Sequence, residues 1–127
     1  MTDMLSLSTQ EAAQQLSSVC DLCCSPVLQD VLEPGDALVL AGALKVLADP
    51  ARLRLLSLIR SAEGGRTTTG VLADQLGLTQ PTITHHLGAL FEAGFVERER
   101  DGRQTWYWVN TDGVQAIREL LDPEPAR

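Results

Sequence analysis

Between residues 71 and 110, two short helical patterns joined by a glycine turn run into a β-hairpin, and that order leaves few folds open to the chain. Val71, Leu72 and Leu76 predict a first helix, and Gly77 falls just past its end, where a left-handed residue stops a helix. Leu78 is expected to fill the turn. Thr79 is a candidate N-cap, and Pro81 sits in the first turn of the next helix, where a missing N–H costs nothing. Ile83, Leu87, Leu90 and Phe91 then recur at i, i+4, i+7 and i+8, one apolar face of a helix. The other face holds Thr82, Thr84, His85 and Gly88, with Gln80 beside them at the N-terminal end. It is polar, short and uncharged. A buried helix would not leave such a face polar, and a merely solvated one would carry Lys and Glu. Gln, Thr and His reach base edges and phosphates over short distances, so this face is predicted to enter the major groove of double-stranded DNA.

The β-forming residues Phe95 and Val96, then Trp106 to Val109, flank Asp101-Gly102, which reads as the hairpin-turn pair. Arg98, Arg100 and Arg103 lie on its arms and tip, alternating in part with Glu97 and Glu99. Alone, this would be an ordinary solvated hairpin. Directly after a candidate recognition helix it reads as a wing whose tip touches a phosphate or the minor groove.

The net charge of −7 opposes this reading, because a protein held by non-specific phosphate attraction would be basic. The position of the charge answers the objection. Residues 67–94 contain only two carboxylates, Asp74 and Glu92, while much of the acid lies towards the two ends. Specific, salt-sensitive binding with little non-specific affinity is expected. At 127 residues the chain makes one domain, large enough for a core and small enough to want a dimer partner. No stretch approaches a membrane span and the N-terminus lacks a signal-peptide pattern, so no membrane is expected and the cytoplasm is the default location.

Ser8 and Glu11 form a capping-box pattern that predicts a helix over residues 9–22. Breaks are expected at Ser25-Pro26 and at Glu33-Pro34-Gly35, after which Asp36 opens an apolar helix over residues 37–47. Asp49-Pro50 caps the next helix, with Leu53, Leu55, Leu56, Leu58 and Ile59 expected in the core and Arg52, Arg54 and Arg60 outside. Residues 61–69 read as a polar loop and residues 112–121 as a last helix. The expected organisation is a sensor segment over 1–34, a DNA-binding and dimerisation domain over 35–121, and a frayed tail over 122–127.

The run Leu44-Lys45-Val46-Leu47-Ala48-Asp49-Pro50-Ala51-Arg52-Leu53-Arg54-Leu55-Leu56 resembles the hallmark segment of the ArsR/SmtB family of winged-helix repressors. Residues 76–90, with Gln80, Pro81, His86 and Leu87, and the run Asp101-Gly102-Arg103-Gln104 resemble two further family segments, in the family's order. The resemblance covers residues 37–121. It implies a mainly α fold with a small β-hairpin, a homodimeric winged helix-turn-helix with a core of four helices, two strands and a helix. It also implies a repressor that leaves its operator on sensing a metal, a metalloid or a redox change. The apolar helix over 37–47 predicts a two-fold dimer reading an inverted repeat, with no enzymatic activity and no cofactor required for DNA binding. By the same resemblance Gln80, Thr82, Thr84 and His85 face DNA, Arg103 is the wing-tip arginine, and residues 37–47 and 112–121 lie near the dimer interface.

All three cysteines fall in Cys20-Asp21-Leu22-Cys23-Cys24. At i, i+3 and i+4 on a helix, the thiols of Cys20, Cys23 and Cys24 converge on one face. Three soft thiolates in a pyramid suit As(III) or Sb(III), whose lone pair takes the fourth direction, whereas zinc wants a fourth ligand. Buried cysteine also packs as a small hydrophobe, but three in five residues and none elsewhere favour a ligand site. His85 reads as a DNA contact and His86 as a structural residue between the recognition helix and its neighbour. The pair Cys23-Cys24 resembles the N-terminal pair of some actinobacterial arsenic repressors. The chain departs from the enterobacterial pattern, with Thr68-Thr69-Gly70 where a Cys-x-Cys would stand, and its last helix lacks the histidine of zinc sensors. Two alternatives stay open: a redox or persulfide switch that cross-links Cys20 with Cys23 or Cys24, and a thiol oxidoreductase using Cys20-x-x-Cys23. The second ranks last because the βαβ context is missing.

Overall fold

The computed structural model describes residues 31–123, so the expected helix over 9–22 and all three cysteines lie outside the described residues. In chain order the elements are α1 (Pro34–Leu47), α2 (Pro50–Ser61), a 3-10 turn (Glu63–Gly65), β1 (Arg66–Thr68), α3 (Thr69–Leu76), α4 (Gln80–Ala93), β2 (Val96–Asp101), β3 (Gln104–Val109) and α5 (Thr111–Leu121).

Each helix begins where backbone chemistry allows it. Asp49 accepts from the N–H groups of Ala51 (2.9 Å) and Arg52 (3.2 Å), two donors that the first turn of α2 would otherwise leave open. Thr68 caps α3 by accepting from the Val71 N–H, and Asn110 caps α5 by accepting from Asp112 and Gly113. The sequence expectation placed the start of α1 after a break at Pro34. Pro34 in fact stands in its first turn, where its fixed φ suits a helix, and Glu33 is the N-cap. Gly77 ends α3 with φ +68°, and the Leu78 N–H returns to the Ala73 carbonyl at 3.1 Å. Gly94 ends α4 in the same way, with Phe95 N–H on the Leu90 carbonyl at 2.9 Å and the Phe95 ring buried.

The core forms where the helices meet the sheet: Leu40, Leu55, Ile59, Leu72, Ile83, Leu87, Leu90, Phe95 and Val96 are all fully buried. It differs in detail from the sequence reading. Arg52 turns inward and is half-buried, while Leu53, expected in the core, is 52% exposed. Leu78 is exposed rather than filling the turn, and Val71 faces out from α3.

The sheet has one strand more than the expected hairpin. Residues 61–69 are not simply a loop: β1 pairs antiparallel with β3, giving the order β1-β3-β2, with Thr67 opposite Tyr107. That pairing explains why Thr67 and Thr68, polar as they are, are buried. The hairpin turn also moves by one residue. Asp101 pairs with Gln104, so the two loop residues are Gly102 and Arg103, and Gly102 takes the positive φ (+64°) that a tight hairpin needs.

The N–H of Arg52 is the largest influence holding the Asp49 pKa below the ordinary carboxylate value. A group whose pKa is lower folded than unfolded contributes stability above the unfolded value and loses it as pH falls through the folded one. Thermal unfolding followed by circular dichroism from about pH 7 down to about pH 2 should therefore show an acid-side loss in the parent. Asp49→Asn, which can still accept but cannot ionise, should keep most of the neutral-pH midpoint and flatten that loss. Asp49→Ala should lower the midpoint at neutral pH. Equal acid slopes in the parent and Asp49→Asn would remove Asp49 from the account.

Candidate nucleic-acid interface

Burial of Ile83, Leu87 and Leu90 fixes which side of α4 faces solvent. Gln80, Thr82, Thr84 and His85 are all exposed, as the periodicity requires. The wing brings a further group to them. Gln80 and Thr84 of α4, Thr69 and Gly70 of α3, and Arg103, Gln104 and Thr105 of the hairpin line one polar cleft of about 360 Å³. A Cβ built on Gly70 would stand 3.8 Å from Gln80 Nε2, so the first turns of α3 and α4 come into van der Waals reach there.

Three of the five residues singled out for DNA therefore converge on one cleft. Thr82 and His85 do not line it and lie on the open face of α4. The Thr79 hydroxyl leaves its expected role: no N–H of α4 bonds to it, and it shares a 2.9 Å hydrogen bond with the Thr82 hydroxyl.

The wing arginines divide by what they touch. The Arg98 guanidinium stacks 3.9 Å from the centre of the Phe91 ring, pinning β2 to α4. Arg100 Nε donates to the Gly102 carbonyl at 3.2 Å and so braces the turn. Arg103, at the second loop position, is exposed and borders the cleft. On the outer face of the sheet the Arg66 guanidinium lies 5.0 Å from the Trp106 ring and 5.4 Å from the Trp108 ring.

His86 is half-buried at the edge of the apolar stripe, and its Nδ1 accepts from Arg52 Nε at 3.1 Å, joining α4 to α2 as the sequence reading expected of a structural histidine. Sequence reasoning missed Thr69, Gly70, Gln104 and Thr105. The Thr-Thr-Thr-Gly run before Val71 was the available signal, since it is cap chemistry for a helix start. Among the described residues no group of three or more His, Cys, Asp or Glu could hold a metal ion, and no helix is long and apolar enough to cross a membrane.

A second surface lies away from the cleft. Leu47, Leu53, Leu56, Phe95, Val114, Ile117 and Leu121 line most of an apolar hollow of about 470 Å³ between α1, α2 and α5. Leu53 and Leu121 are 52% and 68% exposed there.

Residues 47–99 match a family described as a helix-turn-helix domain. An uncharacterised helix-turn-helix-type transcriptional regulator of Methanocaldococcus jannaschii is 38% identical over 82 residues, 65% of this chain and 90% of that one. An arsenical resistance operon repressor of Staphylococcus xylosus is 31% identical over 83 residues, again 65% of this chain and 77% of that one. Among solved structures, a homodimeric winged helix-turn-helix DNA-binding domain from Mycobacterium bovis, described as a possible ArsR-family regulator, superposes with a TM-score of 0.55 at 28% identity, covering 65% of this chain and 73% of the other.

Proposed function

The chain belongs to the ArsR family of winged-helix transcriptional repressors, and we propose that it holds operator DNA as a homodimer and releases it when As(III) or Sb(III) binds Cys20, Cys23 and Cys24. The observation that carries the DNA reading is the convergence of Gln80, Thr84 and Arg103 on one polar cleft beside the exposed face of α4. In this reading Gln80, Thr82, Thr84 and His85 enter the major groove, and Arg103 takes a phosphate at the wing tip. The low carboxylate content of this face offsets the acidic total.

Changing Gln80, Thr84 or His85 to Ala should cost about 1–3 kcal/mol of operator binding each, the usual worth of a good base contact. Arg103→Ala should weaken binding to all sequences alike and lower the salt slope by about one. The measurement is fluorescence anisotropy on the DNA upstream of the chain's own coding sequence, across a salt series. Unchanged affinity in both the Gln80 and His85 variants would sink the recognition face.

The apolar hollow supports the dimer. A hollow of that size with Leu53 and Leu121 open to water is the sort of surface a second copy covers, and the Mycobacterium bovis relative is homodimeric. The dimer then sets two recognition helices on an inverted repeat. Leu53→Glu should leave the fold intact and shift the species to monomer in light scattering at micromolar concentration. A parent that is itself monomeric under those conditions would rule the dimer out.

The sensor reading rests on the spacing of the only three cysteines and on the arsenical-resistance relative. All three cysteines fall within residues 1–34, the segment read from the sequence as the sensor. Three thiolates supply soft, pyramidal coordination. Moving an operator from mostly bound to mostly free takes about 5 kcal/mol of differential affinity between the two states. Arsenite should protect three thiols per chain from titration and release DNA without splitting the dimer. Cys23→Ser and Cys24→Ser should still bind DNA and fail to respond, while release of Cys20→Ser at the parent's arsenite concentration would leave Cys23 and Cys24 as the only sensing pair. Loss of two thiols to a disulfide without arsenite would point to a redox switch in its place. The proposed location is the cytoplasm, where the operator is.

A further inference from the structure

One guanidinium ties three helices together behind the recognition face. Arg52 lies in the first turn of α2, its side chain half-buried, with its backbone N–H on Asp49. Its Nε donates to His86 Nδ1 at 3.1 Å, and its Nη1 donates to the Val46 carbonyl at 3.4 Å, in the last turn of α1. His86 is in turn the neighbour of exposed His85, with ring centroids 5.9 Å apart and planes tilted by 57°.

Burial of one stripe decides which side of α4 faces inward, and a directional contact can fix its rotation more finely. Ile83, Leu87 and Leu90 form that apolar stripe, and apolar burial carries no direction of its own. A hydrogen bond from a charged donor is directional and among the stronger polar contacts. It sits at the edge of the stripe, where a roll changes its length most. A roll would also redirect His85, Thr84 and Gln80.

We propose that Arg52 and His86 are positioning residues for DNA recognition: their hydrogen bond sets the rotation of α4, and with it the aim of the side chains that face the groove. This rests on the reading of α4 as the recognition helix. Neither side chain needs to touch DNA. The residues fit the task because Arg52 is anchored at two further points, so the joint refers α4 to both α1 and α2.

The test compares operator affinity and thermal midpoint in the full chain, using the duplex upstream of its own coding sequence and a scrambled duplex of equal length. His86→Phe keeps a ring and removes the acceptor; Arg52→Met keeps the stem and removes the donor. His86→Asn keeps an acceptor near the place of Nδ1. Each deletion should weaken the upstream duplex by about tenfold to a hundredfold, the equivalent of one hydrogen bond to a charged group, and leave the scrambled duplex unchanged. His86→Asn should recover most of that loss, and the double variant should lose no more than either single deletion. Each variant should keep a cooperative thermal transition. If His86→Asn and His86→Phe lose equally, or if the two deletions add in full, the joint does not aim the helix. If His86→Phe does not fold, Arg52→Met against the parent decides the matter alone. A parent that does not prefer the upstream duplex overturns the reading of α4 itself, whereas a parent that prefers it alongside deletion variants that do so equally overturns only the joint.

Discussion

Ile83, Leu87 and Leu90 have no solvent exposure at all, and what the rest of this chain can do depends on that burial. Three side chains on one stripe of α4 hold its inner side against α1, α2, α3 and β2. The opposite side must then be the one with Gln80, Thr82, Thr84 and His85. Truncating Leu87 to Ala would remove roughly 2–5 kcal/mol of burial and packing, which in a small domain is a large part of the total. The polar face is thus exposed as a consequence of core formation. Burial chooses which face is presented, and the finer aim of that face is what the Arg52–His86 contact is proposed to set.

The second strand of the architecture is polar. Asp49 caps α2, Arg52 reaches from that cap to His86, Asn110 caps α5 while its Nδ2 donates to Glu97 at 2.9 Å, and Arg98 stacks on Phe91. The caps fix where helices start, while Arg52–His86 and Asn110–Glu97 link elements far apart in sequence. The wing is held from both sides in this way: β1 pairs with the inner edge of β3, and Arg98 fastens β2 to α4. Arg103 therefore comes to a defined place beside the cleft. An acidic chain can work with such a surface, because the cleft is lined by Arg103 and by no carboxylate.

The helix-turn-helix was legible because the period of 3.6 residues, Gly77 and Pro81 all act locally. The cap at Asp49 was legible for the same reason. β1 was not, because three residues after two glycines carry no alternation, and their strand character comes from pairing with β3 some forty positions later. The run from Trp106 to Val109 marks β3 as a strand, but edge pairing leaves no side-chain pattern, so its second neighbour was not legible. In α2 the apolar residues at 53, 55, 56, 58 and 59 fit more than one helical phase, so the sequence could not separate exposed Leu53 from buried Leu55. Inward-turning Arg52 was hidden too, because a charged residue is assigned outward unless its partner is known, and His86 lies far along the chain. The convergence of Gln80, Thr84 and Arg103 is tertiary, and no spacing in the sequence encodes it.

The central claim is that the exposed face of α4 reads base edges while the wing holds the flanking backbone. Chemical footprinting of the protein on its own upstream DNA tests it most directly, with guanine N7 as the major-groove probe and hydroxyl radical for the sugar-phosphate backbone. Protected guanines are expected in two major-groove patches on one side of the duplex, about one or two helical turns apart, each with protected backbone beside it. Backbone protection with no guanine N7 protected anywhere, in a sequence that carries guanines across the bound region, would contradict the account.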